Sequence, residues 1–130
     1  MKEKDRQDLI RYRITRARET FDEVALHVEN KLWNTAVNRL YYASYYAVIA
    51  LLISQEIKAT THSGVRQMFG LHFVKTGIID RELGKFYTDI FDMRQTGDYE
   101  DYMDFTENDV LDLLQPANDL ITQIENLLSQ

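Results

Sequence analysis

The sequence contains no cysteine, and this absence excludes disulfide bonds, thiolate metal sites and a thiol nucleophile from the chain. It has one proline, Pro116, and five glycines in 130 residues. No apolar run approaches the ~18 residues of a membrane span, and the longest, Tyr45–Ile53, is too short. The first residues, Met1–Asp5, form no apolar signal region. From these absences we expect a cytoplasmic protein that does not contact a membrane.

Basic residues are missing from the end of the chain, which has a net charge of −6: residues 95–130 hold nine Asp and Glu and no Lys or Arg. Seven of the 15 basic residues fall within residues 2–18. The acidic C-terminal third is a poor surface for nucleic acid, whereas the N-terminal helix could contact phosphate. Acidic residues interleave with those N-terminal bases, which favours a solvated helix face with i,i+4 ion pairs over a phosphate-binding surface.

The scarcity of proline and glycine and the lack of a period-2 pattern predict an all-α chain. We expect a single domain over residues 1–130, folded as an antiparallel up-and-down bundle of four or five helices. The five predicted helices run from about Lys4 to Val28, Leu32 to Ser54, Thr61 to Lys75, Asp80 to Gly97 and Thr106 to Leu127. The apolar stripe of the first helix is Leu9, Ile10, Ile14, Ala17, Phe21, Val24, Ala25 and Val28. Pro116 predicts a kink or a local break in the last helix.

Two tyrosine doublets lie one helical turn apart in the second predicted helix. Because residues four apart share a helix face, Tyr41 is expected to lie over Tyr45 and Tyr42 over Tyr46. A second stripe, made of Ala36, Ala43, Ala47 and Ala50, would let another helix approach closely. The helix is therefore predicted to be central, with the tyrosines at either a dimer seam or a pocket.

The common catalytic signatures are absent. The chain has no HExxH, GxGxxG, Walker or GxSxG motif, so a nucleotide cradle or a serine hydrolase is unsupported. Its three histidines, His27, His62 and His72, are not spaced as metal ligands on one helix, and we predict no metal site and no cofactor. The acidic residues from Asp98 to Asp104 fit a solvated loop better than a cation site.

Several polar residues beside the apolar positions admit both a structural and a functional interpretation. Arg39 could stack on a tyrosine, pair with a carboxylate or bind a ligand. His62 could make a hydrogen bond at a helix cap, and Lys75 could match the dipole at a helix end. Arg94 could bind phosphate, with Asp98 and Tyr99 beside it, or form an ion pair with Asp98 that fixes the loop.

At these residues the chain resembles the HEPN family, small helical proteins often encoded beside a minimal nucleotidyltransferase. The resemblance is carried by several blocks in order: Asn38–Ala43, Thr61–Val65, Phe69–Gly70, Phe73–Gly77, Arg94–Tyr99 and Asp104–Thr106. It extends over nearly the whole chain. The resemblance implies a helical bundle, usually a homodimer. The chain is similar also to the helical domain attached to some nucleotidyltransferases.

Many HEPN proteins are metal-independent ribonucleases that act as toxins, opposed by a nucleotidyltransferase antitoxin. Their motif is an arginine, four to six intervening residues and a histidine. Here Arg94 matches the arginine, but Tyr99 follows at the histidine's position, and no histidine follows Arg94. A phenol, with a pKa near ~10, is a poor base at neutral pH. Arg66 and His72 have a matching spacing, but they lie outside the region that carries the motif and point ~120° apart on a helix.

The resemblance therefore implies two functions. The first is a dimeric helical module of a toxin–antitoxin-like system that binds a nucleotide or a minimal nucleotidyltransferase partner. The second is a metal-independent ribonuclease toxin in which Arg94, Asp98 and Tyr99 are the candidate catalytic residues, with His62 nearby. The candidate binding residues are Asn38, Arg39, Tyr41, Tyr42, Tyr45, His62 and Lys75.

Overall fold

The computed structural model describes residues 1–99 and 104–130, and side chains through residue 95 and from residue 104 onward. This part of the chain is all-α and contains no strand, as predicted. Its elements are α1 (Glu3–Glu29), α2 (Trp33–Ser54), α3 (His62–Phe69), a π-helical turn (Gly70–Val74), α4 (Arg81–Tyr99) and α5 (Glu107–Leu128). The helix bounds agree with the sequence prediction to within about two residues, except at the end of α3.

Helix α2 is the central element and packs against α1, α3, α4 and α5. The four alanines of its predicted small-residue stripe are all fully buried. Because alanine adds little bulk, α1 can lie along α2, and a connection of three residues (30–32) makes the pair antiparallel. The prediction that the tyrosine-bearing helix is central is thus confirmed.

Among the described residues, α2 is also the one helix whose length and composition would suffice for a membrane span, with a mean hydropathy of 1.2 over its most apolar stretch. In the fold, 61% of that stretch is buried inside the protein. The core helix of a folded domain passes the same composition test, and the packing of α2 against four other helices accounts for its apolar sequence.

Two threonine caps begin helices where the sequence predicts them. The Thr61 side chain accepts a hydrogen bond from the Gly64 amide at 2.9 Å. Thr106 and Asp109 form a reciprocal capping box at the start of α5, with each side chain accepting from the other residue's backbone amide. Each cap satisfies amides that a helix start leaves without partners, so these residues fix where α3 and α5 begin.

Three local expectations are wrong. The α-helix after Thr61 ends at Phe69 and is followed by the π-helical turn, in which the Lys75 amide bonds to the Gly70 carbonyl at 2.9 Å. Of the two outcomes expected at Pro116, the break is wrong, because α5 continues as one helix to Leu128, and the kink stays a prediction; the Asp112 carbonyl that loses its partner belongs to an exposed residue. Ala25 is exposed, not part of the buried stripe of α1.

Candidate functional site

The four tyrosines of α2 form one surface, which we call the tyrosine face: Tyr41, Tyr42, Tyr45 and Tyr46. The rings of Tyr41 and Tyr45 are stacked, with centroids 5.7 Å apart and planes 20° apart. Those of Tyr42 and Tyr46 lie 5.9 Å apart and are tilted by 42°. Tyr41 is fully buried, while the other three are half-buried. The predicted pairing across one helical turn is therefore confirmed, with Tyr41 at the floor of the face.

His62, the first residue of α3, lies on the tyrosine face. Its ring is stacked on that of Tyr45, with centroids 4.3 Å apart and planes 14° apart, and meets Tyr42 edge-on at 5.9 Å. Its Nδ1 atom lies 2.7 Å from the Tyr41 hydroxyl, within hydrogen-bond distance. The expected hydrogen bond of His62 in the first turn of α3 is thus made to Tyr41, while Thr61 is the capping residue of the helix. The imidazole is held by three phenols of α2.

Arg94, from α4, reaches the same rings from another side. Its Nη2 atom donates a hydrogen bond to the Tyr42 hydroxyl at 3.1 Å. The centre of its guanidinium lies 5.4 Å from the ring centroids of both Tyr41 and Tyr42, within cation–π distance. Arg94 and His62, 32 residues apart in the sequence, therefore converge on Tyr41 and Tyr42.

The two other candidate catalytic residues cannot be located in the same way. The side chains of Asp98 and Tyr99 lie outside the described residues, although α4 extends to Tyr99. The proposed ion pair between Arg94 and Asp98 therefore stays a prediction.

Of the remaining candidate binding residues, Arg39 lies on the tyrosine face and Lys75 does not. The Arg39 guanidinium lies 5.3 Å from the centroid of the Tyr42 ring, as its ring-stacking interpretation predicts. Asn38 accepts a long hydrogen bond of 3.5 Å from the Nη1 atom of Arg39, and is connected to the site through that residue. Lys75 is exposed after the π-helical turn and makes no side-chain contact with the face among the described residues.

Three arginines near the tyrosine face were not among the candidate residues from the sequence. Arg16 lies 5.9 Å from the centroid of the Tyr46 ring, and Arg13 is close enough to Tyr45 to oppose the effect of burial, which raises the pKa of that phenol. Arg66 of α3 lies 4.7 Å from the centroid of the Phe91 ring, whose edge meets Tyr41. The sequence indicated a solvated face for the basic residues of α1, because acidic residues interleave with them. The available signal was that Arg13 lies four residues before the buried Ala17 and Arg16 four residues before the buried Thr20, so both share a helix face with buried positions of α1.

The ionisation of the face follows from burial. Burial raises the pKa of Tyr41 and Tyr45 and raises that of Tyr87, which stacks behind Tyr41, well above the ordinary value. Burial lowers the pKa of His62, and the nearby Arg94 cation lowers it further. At neutral pH the phenols of Tyr41 and Tyr45 and the imidazole of His62 are thus neutral, beside the permanently charged guanidinium of Arg94.

His72 takes no part in this arrangement. The exposed His72 borders a separate groove with Ser54 and Phe73, whereas Arg66 lies against Phe91, so the formal Arg66–His72 spacing brings no side chains together. Within the ranges the structure describes, no three His, Asp or Glu side chains form a group that could hold a metal. Part of the acidic stretch from Asp98 to Asp104 lies outside those ranges.

Comparison with known proteins identifies the family to which this chain belongs. The model of the HEPN domain matches residues 10–127. A UPF0332 protein of Thermotoga maritima is 42% identical over 95% of this chain and 94% of its own length. Two proteins of Methanocaldococcus jannaschii, both named as candidate toxins, are each 32% identical; they cover 98% and 82% of this chain and 94% and 76% of their own lengths.

The family match covers almost all of the fold and includes every residue of the tyrosine face, His62 and Arg94. The relative from Thermotoga maritima also aligns along nearly the entire chain. The chain therefore belongs to the HEPN domain family.

Proposed function

We propose that this chain is the toxin-type HEPN component of a two-protein system and that its tyrosine face binds a phosphate-bearing ligand, a nucleotide or RNA. The observation that carries the proposal is the position of Arg94, which lies over two tyrosine rings and bonds to a tyrosine hydroxyl. A guanidinium recognises phosphate through paired N–H groups, and tyrosine rings offer surfaces on which bases stack.

The distribution of charge supports this proposal. Although the chain has a net charge of −6, arginines from four helices gather at the tyrosine face or beside it. Among the described residues, Arg13, Arg39 and Arg66 have no carboxylate within ion-pair distance, whereas Arg11, Arg16 and Arg18 each have one and Arg6 has two. Positive charge that no carboxylate neutralises favours an anionic ligand.

Binding of a fluorescent single-stranded oligoribonucleotide and of labelled nucleotides, measured by anisotropy, tests the proposal. Arg94→Ala should weaken binding at least tenfold, since it removes the guanidinium from the rings. Arg81→Ala removes the same charge from an exposed position at the other end of α4 and should leave binding within about twofold of wild type. Wild-type protein that binds none of these probes, or equal binding by both variants, would contradict the proposal.

The partner is the second part of the proposal. Resemblance to proteins encoded beside minimal nucleotidyltransferases, together with relatives named as candidate toxins, supports a cytoplasmic homodimer that associates with such a nucleotidyltransferase. Sedimentation of the purified chain tests the dimer. Co-purification with the product of a neighbouring nucleotidyltransferase gene tests the partner, and a monomer that retains no nucleotidyltransferase would reject this part.

A second candidate function, a metal-independent ribonuclease, is favoured by one observation: an imidazole, His62, lies in the same aromatic cluster as Arg94. In such an enzyme the arginine would hold the scissile phosphate, with Asp98 and Tyr99 assisting. RNA cleavage in the presence of a chelator, compared between wild type and a folded Arg94→Ala variant, tests it. Cleavage that survives in the variant would reject Arg94 as its catalytic residue.

A further inference from the structure

We propose that His62 and Arg94 form a single proton-coupled anion site, in which a bound phosphodiester is held by the Arg94 guanidinium and by a His62 imidazole that takes up a proton as the ligand binds. This inference rests on the proposed function and specifies how the tyrosine face recognises its ligand. It concerns a histidine that precedes Arg94 in the sequence and comes from a different helix.

The contacts of His62 fix the orientation of its ring. The Tyr45 ring is stacked on the imidazole, with centroids 4.3 Å apart, and the Tyr42 ring meets it edge-on. The Tyr41 hydroxyl oxygen lies 2.7 Å from Nδ1, within hydrogen-bond distance. With Nδ1 engaged, Nε2 is the nitrogen that can face a ligand, and the half-buried side chain keeps one side open to solvent. The imidazole is therefore held in one orientation before any ligand arrives, which reduces the entropy lost on binding.

The charges around His62 explain why its protonation would depend on the ligand. Without an anion, burial and the Arg94 cation both lower the pKa of His62, so the imidazole is neutral at neutral pH. A phosphodiester between the two side chains adds a negative charge, which favours the imidazolium and offsets the repulsion from Arg94. After proton uptake both ring nitrogens carry a proton, so the Nδ1–H donates to the Tyr41 oxygen while the Nε2–H donates to a phosphate oxygen.

The other groups around His62 do not titrate in the same range. Guanidiniums stay charged at all accessible pH values, and burial raises the pKa of the Tyr41 and Tyr45 phenols away from neutrality. Among the residues whose side chains the structure describes, the titratable and charged groups around His62 are Tyr41, Tyr42 and Tyr45 from α2, Arg94 from α4, Arg13 beside Tyr45 from α1, and Arg66 one turn along α3. A pH dependence of binding near neutrality is thus assigned to His62.

The sign of this dependence follows from the two pKa values. The pKa of His62 lies below its usual ~6.5 in the free protein and is raised in the complex. Affinity therefore increases as pH falls below the pKa of the complex and stops increasing below the pKa of the free protein. Between these values one proton is taken up per ligand, so affinity changes by up to tenfold per pH unit.

The test measures binding of a 2′-O-methyl oligoribonucleotide without terminal phosphates between about pH 5.5 and 8.5. This probe cannot be cleaved through its 2′-hydroxyls, and its diester charges do not change in that range. Wild-type affinity should rise several-fold as pH falls. His62→Gln should bind with little pH dependence, whereas His72→Gln, which changes an exposed histidine in the π-helical turn, should behave like wild type.

A second measurement uses only wild-type protein, so it does not require that a substituted variant folds. The His62 pKa, obtained by NMR in wild-type protein with and without the oligonucleotide, should rise when the ligand binds. An unchanged pKa, or a His62→Gln variant that retains the wild-type pH dependence, would overturn this inference while leaving Arg94-dependent binding intact. Failure of the wild type to bind at any pH, or binding that is unaffected by Arg94→Ala, would instead reject the proposed function.

Discussion

At the residue scale, two buried phenols, Tyr41 of the tyrosine face and Tyr87 behind it, make the stability of the fold depend on alkaline pH. Tyr41 and Tyr87 are fully buried, and burial raises the pKa of both above the ~10 of an exposed tyrosine. A folded-state pKa above the unfolded one stabilises the fold at pH values below the unfolded pKa. This stabilisation is lost as pH rises, because the unfolded chain releases its protons first.

We expect the free energy of unfolding to fall steeply above about pH 10, by up to about 1.4 kcal/mol per pH unit for each buried tyrosine. Urea unfolding between about pH 9 and 11 measures the slope. Tyr87→Phe should reduce it, whereas Tyr12→Phe, at a residue that is 56% exposed, should not. Equal slopes for wild type and Tyr87→Phe would show that this phenol ionises in the folded state.

At the scale of the helices, α2 depends on its small residues. Ala43 and Ala47 are completely buried where α2 meets its neighbours. A leucine at either position would add three carbon atoms to a filled space. We expect Ala43→Leu or Ala47→Leu to reduce the free energy of unfolding by about 1–3 kcal/mol, as overpacking of cores does.

Thermal and urea unfolding measure this effect. Ala25→Leu is the matched control, because Ala25 is exposed on α1 and a leucine there should change stability by less than about 0.5 kcal/mol. If Ala47→Leu melted like wild type, the alanine stripe would not be a contact between helices.

A second close contact joins α4 to the π-helical turn. A Cβ atom at Gly84 would lie only 2.6 Å from Cγ1 and 2.8 Å from Cγ2 of Val74. We therefore expect Gly84→Ala to destabilise the protein by about 1–3 kcal/mol, although alanine favours a helix over glycine by ~1 kcal/mol.

Two further variants serve as controls for Gly84→Ala. Val74→Ala in the same chain should recover part of the loss, because it removes both clashing methyl groups. Gly70→Ala, where a Cβ would meet nothing within 4 Å, should be neutral or slightly stabilising. A Gly84→Ala variant as stable as Gly70→Ala would contradict the proposed packing.

The elements also show which parts of the structure the sequence could predict. Helix starts were predictable because the Thr61 and Thr106 caps act within three residues. The π-helical turn was not, because the sequence from Gly70 to Val74 carries no local signal for one extra residue per turn. The contact of His62 with Tyr41 spans 21 residues and depends on how α3 docks on α2, so only the separate residues could be proposed, not their arrangement.

At the scale of the whole molecule, the arginines around the tyrosine face and the acidic residues of α5 belong to different helices. Arginines of α1, α2, α3 and α4 lie at or beside the tyrosine face, whereas α5 contains five acidic residues and no Lys or Arg. Arg18 joins the two regions through an ion pair of 2.6 Å with Glu125. Because the acidic helix α5 repels polyanions, a bound nucleic acid is expected to remain on the arginine-rich side.

This distribution of charge predicts how binding responds to salt. Each phosphate contact with single-stranded nucleic acid contributes about −0.7 to the slope of log affinity against log salt concentration. Arg39→Ala should therefore make the slope for an oligonucleotide less steep by about 0.7. Arg11→Ala removes the same charge from an exposed position paired with Asp8, away from the tyrosine face, and should leave the slope unchanged. If both variants reduced the slope equally, net charge rather than the tyrosine face would govern binding.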